Sequence, residues 1–168
     1  MAQLHRRDFQ AILDFLAGVY GTRSLDEYVD FTIRELRSLV PCDISVYNEV
    51  NTRRRRSRFV VDPIDANPPE AVPVFAAHMH EHPFLKFWHG GARHVSVHRA
   101  VTLSEFVSDQ KWRNRALYTE FYGPVIGMDR IIGVRLPAPA PIELYLTLLR
   151  SRRDFDERDS LVLNLLRP

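Results

Sequence analysis

The end of the chain constrains the fold more strongly than any other stretch. Two segments, Asp129 to Leu136 and Ile142 to Arg150, place apolar side chains at every second position, which is typical of β-strands. The connection between them, residues 137–141, reads Pro-Ala-Pro-Ala-Pro, and proline has no backbone N–H to donate to a sheet. The sequence therefore predicts two adjacent antiparallel strands joined by a loop.

A capped helix is predicted to follow these strands. Asp156 is a typical N-cap residue, and Glu157 and Asp159 lie in the first turn, where the helix dipole favours acidic groups. Four apolar residues come next: Leu161, Val162, Leu165 and Leu166. They are spread over more than one helix face. We therefore expect this helix to need a partner beyond its own sheet, either a second copy of the chain or a DNA-binding module.

Two amphipathic helices are predicted at the start of the chain. In the first helix, apolar residues recur at three- and four-residue steps as far as Gly18 or Gly21. The second helix begins after Ser24, which forms a capping-box pattern with Glu27, and it ends at Pro41. A pair of helices is thus expected before the first strand.

A β-hairpin is predicted after the second helix. Within residues 42–50 the side chains alternate, as in a strand with one covered face. One side carries Ile44 and Val46, with Asn48 as a candidate third member, and the other carries Ser45, Tyr47 and Glu49. The apolar pattern resumes at residues 59–61, after four consecutive arginines at residues 53–56. We interpret the arginine run as a solvated turn between two strands. The alternative is a contact with nucleic acid or with an acidic partner.

The middle of the chain gives weaker signals. A proline-rich loop precedes a short helix that begins near Pro73 and is broken by residues 82–83. Residues 84–98 are hard to assign, since their first five residues are mostly apolar and the pair Gly90-Gly91 must turn. A further helix is predicted after Asp109, and the pair Gly123-Pro124 is expected to close it.

Large aromatic residues are concentrated in this weakly assigned segment. An aromatic segment that covers a sheet is a common way to build a pocket for a small molecule, so we predict a pocket between the sheet and residues 84–112. The candidate ligand-binding residues are Tyr47, Phe84, Trp88, Phe106, Trp112 and Tyr122. The alternative is a packed core in which these rings leave no cavity.

The composition limits the class of protein. The 168 residues, of which 45% are hydrophobic and 26% charged, fit a single domain that covers residues 1–168. A formal net charge of +2 is too weakly basic to indicate nucleic-acid binding by the domain as a whole. No run approaches the roughly 18 apolar residues of a membrane span, and a single cysteine, Cys42, fits a reducing compartment. We therefore expect a cytoplasmic protein with no membrane contact.

Patterns typical of enzymes are missing from the sequence. It contains no G-x-S-x-G nucleophile turn and no glycine-rich phosphate loop of the dinucleotide or Walker type. Cys42 follows Pro41 at the start of a strand without a flanking acid–base pattern, so we expect a buried structural thiol. We predict no enzymatic activity, and the sequence identifies no cofactor.

A group of histidines offers a possible metal site. His78 and His82 would share one face of a helix, and His89 or His94 could supply a third nitrogen to zinc or another divalent ion. Against this, the helix breaks at Pro83, and histidines at a helix end also interact with the last carbonyl groups. We interpret these residues as surface or helix-end histidines and predict no metal site.

Four segments resemble a known family: EHPFLKFW, VTLSEFVSDQKW, LYTEFYGPVIGMD and SRRDFDERDSLVLNLLRP. Together with the order of the predicted elements, they look like the GAF-like sensory domain that precedes the DNA-binding module of bacterial LuxR-type helix-turn-helix transcription regulators. The resemblance covers roughly residues 75–168. It implies an α+β fold with a central antiparallel sheet, the N- and C-terminal helices on one face, and a helical or loop crossover on the other.

The resemblance also implies a function. The domain would sense a small molecule and act through its terminal helices on a DNA-binding module, and it would form a homodimer through those helices. The helix-turn-helix that would contact DNA is not present in this chain. The ligand stays unidentified, because the sequence matches neither the cyclic-nucleotide signature, nor a bilin-binding cysteine, nor the tyrosine-tryptophan-aspartate pattern of acyl-homoserine-lactone sensors.

Two rival hypotheses follow from the same residues. In the first, the domain is a ligand-free dimerisation module, whose terminal helices pair between two chains while the aromatic residues only pack. In the second, the chain is a metal-binding protein that uses the histidines.

Overall fold

A five-stranded antiparallel sheet forms the centre of the computed structural model, which describes residues 3–51, 53–54, 56–66, 68–89 and 99–166. The strands are β1 (Ile44–Asn51), β2 (Arg56–Asp62), β3 (Val101–Thr102), β4 (Arg130–Leu136) and β5 (Ile142–Arg150). Their order across the sheet is β2-β1-β5-β4-β3, and every neighbouring pair is antiparallel. The longest strand, β5, therefore lies in the middle of the sheet.

Helices cover both faces of this sheet. They are α1 (Arg6–Gly21), α2 (Leu25–Leu39), α3 (Ala71–His78), α4 (Pro83–His89), α5 (Asp109–Arg113), a π-helix (Leu117–Ile126) and α6 (Glu157–Leu166). Short 3₁₀ turns occur at Ile64–Ala66, Met79–Glu81 and Leu103–Glu105. We call α3, α4, α5 and the π-helix the crossover helices, because they connect the β1–β2 hairpin to the strands on the other side of β5.

The terminal helices α1, α2 and α6 share one hydrophobic core with one face of the sheet. The sheet contributes alternate residues of three strands to this core, among them Tyr47, Ile132 and Leu148, each at most 1% exposed. Val29 and Leu36 of α2 are fully buried against them. The spacing of these strand residues follows from the period of two, which sends neighbouring side chains to opposite faces.

The crossover helices form a second core on the opposite face. Here the sheet contributes Ile44, Ile131 and Tyr145, and the helices contribute Phe84 and Trp112, which are 1% and 2% exposed. The two cores confirm the predicted α+β architecture, with the terminal helices on one face and the crossover on the other.

The strongest signals in the sequence correspond to the observed helix ends. Ser24 accepts a hydrogen bond from the Glu27 backbone N–H at 3.1 Å, while the Glu27 carboxylate accepts from the Arg23 N–H at 2.7 Å. Asp156 caps α6 by accepting from the Asp159 N–H at 3.1 Å. The predicted starts of α2 and α6 are therefore confirmed by the cap contacts that their sequences encode.

The middle of the chain contains one helix that the sequence left unassigned and one helix end that it predicted wrongly. Residues 83–89 form α4, because Pro83 occupies the first helical position, where its missing N–H costs nothing. The predicted stop at Gly123-Pro124 is incorrect, since the π-helix runs on to Ile126. It ends at Gly127, whose φ of 69° is a conformation that favours glycine. The two-residue strand β3 was not predicted at all.

The β1–β2 turn is exposed, as the sequence predicted. Arg53 and Arg54 are exposed, and the guanidinium of Arg58, at the start of β2, lies 2.6 Å from the Asp26 carboxylate on α2.

Among the described residues, no helix combines the length and the apolar character that crossing a bilayer requires.

Candidate ligand pocket

A cavity of about 120 Å³ lies between the sheet and the crossover helices. The sheet side consists of alternate residues of three strands: Ile44, Val46, Asn48 and Val50 of β1, Phe59 and Val61 of β2, and Tyr145, Thr147 and Leu149 of β5. The helical side includes Ala71, Val72 and Phe75 of α3, Phe84, Leu85 and Trp88 of α4, and Phe121, Tyr122 and Ile126 of the π-helix. Because the strand residues are two positions apart, all of them face the same side of the sheet.

His82 supplies a buried polar group at the helical side. Its side chain accepts a hydrogen bond from the Phe84 backbone N–H through Nδ1 at 3.2 Å, and its Nε2 lies 3.2 Å from the Tyr122 hydroxyl. Burial lowers the pKa of His82 to about 3, and the nearby Arg115 guanidinium acts in the same direction. Burial also raises the pKa of Tyr122. Both side chains are therefore uncharged at neutral pH.

Trp88 forms the aromatic wall between α4 and β5. Its ring stacks on Tyr145, with centroids 4.4 Å apart and planes inclined by 17°, and it also contacts Phe84 at 5.1 Å. Trp88 is 6% exposed, yet its indole Nε1–H has no hydrogen-bond partner among the described residues. A buried donor without an acceptor is unfavourable. The nitrogen itself has almost no accessible surface, so Trp88 contributes the carbon atoms of its ring to the cavity wall.

The sheet side is less polar. The Asn48 amide nitrogen donates to the Thr147 hydroxyl at 3.3 Å and to the Tyr145 carbonyl at 3.4 Å, which links β1 to β5 across the base of the cavity. No aspartate, glutamate, lysine or arginine appears in the part of the cavity wall that the structure describes. The cavity thus combines apolar walls with a few neutral polar groups, as pockets for small molecules generally do.

Comparisons with known proteins show which solved structures have a similar architecture. No protein-family model and no curated protein matches the chain. Among solved structures, the VqsR LBD domain from Pseudomonas aeruginosa is 12% identical with a TM-score of 0.64, and the alignment covers 98% of this chain and 92% of that one. The N-acylhomoserine lactone-dependent LuxR-family transcription factor CepR2 from Burkholderia cenocepacia is 15% identical with a TM-score of 0.63, covering 95% and 88%.

A GAF domain gives a similar match. The GAF domain of the Acinetobacter phosphoenolpyruvate-protein phosphotransferase is 13% identical with a TM-score of 0.58, covering 97% of this chain and 89% of its own. The fold is GAF-like. The chain shares this fold with domains of LuxR-family regulators, as the resemblance of its sequence predicted. At these identities, the similarity concerns the fold alone.

Three of the six predicted ligand-binding residues line the cavity of this GAF-like domain. They are Phe84, Trp88 and Tyr122. Trp112 lies behind them, with its ring centroid 5.2 Å from that of Tyr122, and does not line the cavity. Phe106 is 37% exposed, and its ring centroid lies 5.9 Å from that of Phe84. It does not line the cavity. Of the six predicted residues, only those in the inner layer of the crossover helices reach the cavity.

The prediction that Tyr47 lines this pocket is wrong. Tyr47 is 1% exposed within the core on the other face of the sheet, beneath the terminal helices. The reason is the alternation of β1, which sends Ile44, Val46 and Asn48 to the cavity and Tyr47 away from it. The same alternation was visible in the sequence. It could not show which face would carry the GAF-like pocket.

Sequence reasoning missed His82 and the sheet side of the pocket. His82 was interpreted as a helix-end residue, and nothing in its local sequence indicates a partner 40 positions away at Tyr122.

His78 has a different partner, since its Nε2 lies 2.9 Å from the Glu120 carboxylate. No group of three or more histidine, cysteine or acidic side chains in the described part of the chain could hold a metal ion. The predicted third ligands, the side chains of His89 and His94, lie outside the described residues.

Cys42 lies on the terminal-helix side of the sheet, away from the cavity. It is a free cysteine that packs against the core beneath the terminal helices, and the thiol that the sequence predicted to be buried is only half-buried. Burial raises the pKa of its thiol to about 12. The reactive thiolate form is therefore scarce at neutral pH.

Proposed function

We propose that this chain is the signal-sensing domain of a bacterial transcription regulator and that it binds a small molecule in the cavity beneath the crossover helices. The observation that carries the proposal is an apolar cavity of about 120 Å³ whose wall contains a few neutral polar side chains, among them Asn48, His82 and Tyr122. The GAF-like fold, shared with a LuxR-family transcription factor, supports the regulatory role. The domain would act on DNA through an attached DNA-binding module.

The connection from the cavity to the terminal helices runs through the end of β5. Leu149 lines the cavity, and the next residue, Arg150, points to the other face of the sheet. There, Arg150 donates to the Asp159 carboxylate of α6 at 3.0 Å and to the Pro41 carbonyl at 3.1 Å. A ligand that shifts the end of β5 would therefore also shift the start of α6. Binding would change the populations of two arrangements of the terminal helices.

Two neighbouring valines of β2 provide a matched test of this proposal. Val61 lines the cavity, whereas Val60 packs against the core on the opposite face. Thermal unfolding would be followed for the full chain in the presence of uncharged compounds of one or two rings. Compounds that bind are expected to raise the midpoint of the wild type and of Val60→Phe, but not that of Val61→Phe, in which the larger ring fills the cavity. The proposal fails if no compound raises the midpoint, or if Val61→Phe responds like the wild type.

A second candidate function is supported by the exposed surface of α1 and α6. Large apolar side chains there remain exposed in the single chain, by 50% for Phe9, 59% for Leu13 and 50% for Leu165. We propose that a second copy of the chain covers this surface and that the domain also serves for dimerisation. Sedimentation equilibrium of the wild type is expected to show dimers, and Leu13→Glu with Leu165→Glu is expected to produce monomers. A monomeric wild type at high concentration contradicts this role.

A further inference from the structure

We propose that the exposed end of the β1–β2 hairpin binds the phosphate backbone of duplex DNA through the guanidinium groups of Arg53, Arg54 and Arg56. We call these three side chains the hairpin arginines. The inference rests on the proposed function, because an attached DNA-binding module would hold the domain next to a duplex. It adds a DNA contact that this domain makes itself.

Positive charge is concentrated at this end of the hairpin. Residues 53–58 contain five of the 23 lysine and arginine residues of the chain and no acidic residue. The other 18 basic residues are outnumbered by 21 acidic ones. The net charge of +2 thus combines a strongly basic hairpin end with an acidic remainder. A polyanion is attracted to the hairpin end and repelled by the average charge of the rest, which gives it a preferred orientation.

The fold leaves the hairpin arginines without counter-charges. All three are exposed, and none forms a salt bridge within the part of the chain that the structure describes. Elsewhere, Arg130 lies 2.7 Å from the Asp109 carboxylate, and Arg37 lies 2.6 Å from that of Asp62. Neighbouring like charges repel each other. An anionic partner would therefore supply the opposite charge that the hairpin end lacks.

The backbone that carries the hairpin arginines is held in place. Asn51 Oδ1 accepts a hydrogen bond from the Arg54 backbone N–H at 2.8 Å, which stabilises the turn. Asn51 also pairs with Arg56 at the end of the β1–β2 ladder. Two positions further along β2, the Arg58 guanidinium lies 2.6 Å from the Asp26 carboxylate of α2. Because the sheet and α2 position the hairpin, less backbone ordering is required when a partner binds.

The chemistry of the hairpin end favours a phosphate backbone over a protein partner. A guanidinium group can donate two parallel hydrogen bonds to phosphate oxygens. Ser57 is also exposed, and a serine hydroxyl can donate to a phosphate as well. Tight protein partners usually bury a large apolar or aromatic anchor, and residues 51–58 contain no such residue. Since phosphate contacts carry no base information, we expect binding without sequence preference.

The salt dependence of DNA binding measures this contact. Fluorescence anisotropy would follow the full chain binding to a labelled DNA duplex of arbitrary sequence. Each phosphate contact adds about −0.9 to the slope of log K against log salt, so three contacts predict a slope of about −2.7. Affinity should then fall about 40-fold between about 50 mM and 200 mM salt. A duplex of different sequence should bind equally well.

Variants of the hairpin arginines identify the surface. The triple variant Arg53→Gln, Arg54→Gln and Arg56→Gln is expected to bind DNA at least about tenfold more weakly than the wild type at about 50 mM salt. Each single substitution should make the slope less steep by about 0.9. Because all three side chains are exposed, the thermal unfolding midpoints should stay close to that of the wild type.

A second triple variant controls for net charge. Arg6→Gln, Arg7→Gln and Arg152→Gln remove the same charge at exposed arginines outside the hairpin, and these also form no salt bridge among the described residues. This control should bind DNA within about twofold of the wild type. Equal losses in the two triple variants would overturn the inference, because they would show that net charge alone determines binding.

Competitors distinguish DNA from other anions. Unlabelled duplex, polyglutamate and phosphatidylserine vesicles would be added at equal concentrations of negative charge. The duplex should displace the labelled DNA most effectively. Stronger displacement by polyglutamate would point to an acidic protein and stronger displacement by vesicles to a membrane, and either result overturns the inference. So does a failure to bind DNA at about 50 mM salt. None of these results affects the Val60 and Val61 comparison, which tests the proposed function without DNA.

Discussion

The rings of Trp88 and Tyr145 stack with their centroids 4.4 Å apart and their planes inclined by 17°. This contact joins a crossover helix, α4, to the central strand, β5, and so fixes one wall of the cavity to the sheet. Tyr145 is 3% exposed and its neighbour on the cavity side, Thr147, belongs to the same strand. A ligand that enters the cavity therefore contacts a wall whose position depends on how α4 packs on the sheet.

The packing of α4 depends on the absence of a side chain at Gly133. A Cβ atom at this position of β4 would lie 2.8 Å from Phe84 Cε2 and 3.1 Å from Trp88 Cη2. We expect Gly133→Ala to destabilise the fold by about 1–3 kcal/mol, because both rings must shift in a close-packed core. Urea denaturation would measure the change. Gly21→Ala is the control, since nothing lies within 4 Å of a Cβ atom there, and a similar loss in both variants would contradict the argument.

The burial of neutral His82 predicts how stability depends on pH. The unfolded chain binds a proton at this residue below about pH 6.5, whereas the folded pKa is lowered to about 3. The stability that neutral His82 contributes is thus complete above pH 6.5 and is lost as the pH falls towards 3, by up to about 1.4 kcal/mol per pH unit. The free energy of unfolding would be measured by urea denaturation between pH 4.5 and 7.5. It should depend less steeply on pH in His82→Gln than in the wild type. Parallel profiles for the variant and the wild type would exclude a buried neutral histidine.

The ion pair between Asp8 and Arg158 joins α1 to α6. Arg158 Nη2 lies 2.7 Å from Asp8 Oδ1, and Asp8 is 5% exposed. The Arg158 hydrogen bond holds the pKa of Asp8 below its ordinary value. We expect Asp8→Ala to lower the free energy of unfolding by about 1–3 kcal/mol, less than for a fully buried pair because Arg158 is partly exposed.

An exposed ion pair just before α6 gives the control for this prediction. Arg153 and Asp156 are 2.9 Å apart, but their side chains are 79% and 41% exposed. Arg153→Ala should change stability by less than about 0.5 kcal/mol. Equal effects of Asp8→Ala and Arg153→Ala would show that burial does not strengthen the contact between the terminal helices.

The role of Arg150 in holding α6 can be measured by amide hydrogen exchange. Its guanidinium donates to the carbonyls of Arg153 and Asp154 as well as to Asp159, and it lies 4.0 Å from the centroid of the Phe155 ring. The single ammonium group of lysine cannot make all of these hydrogen bonds at once. Arg150→Lys should therefore speed amide hydrogen exchange in the first turns of α6 without affecting α2. The control Arg152→Lys alters an exposed neighbour. Unchanged exchange in Arg150→Lys would show that β5 does not hold α6 through this residue.

Local sequence patterns predicted the parts of the fold whose signals are local. The Ser24 and Asp156 caps and the Pro-Ala-Pro-Ala-Pro loop each act over a few residues, and the structure has α2, α6 and the β4–β5 pair as predicted. The period of two also separated the faces of β1. These features depend on backbone chemistry that is the same in any fold.

The site was harder to predict because it depends on contacts between distant residues. Tyr47 and Trp112 are as aromatic and as buried as Trp88, and only the placement of the helices decides which of them meets the cavity. His82 and Tyr122 are 40 positions apart, so their hydrogen bond leaves no trace in the local sequence. The accumulation of aromatic residues in the sequence indicated a segment that contributes to the cavity wall, and the choice among those residues required the structure.

The indole N–H resonances give the most direct test of the central claim, that a small uncharged molecule binds in the cavity beside Trp88. The chain has two tryptophans, so a ¹H–¹⁵N correlation spectrum contains two such signals, and Trp112→Phe assigns them. Titration with acetophenone, an uncharged compound of one ring, is expected to shift the Trp88 signal, because the Trp88 ring lines the cavity, and to leave the Trp112 signal nearly in place. A Trp88 signal that stays fixed at saturating acetophenone, or a larger shift at Trp112, would contradict the account.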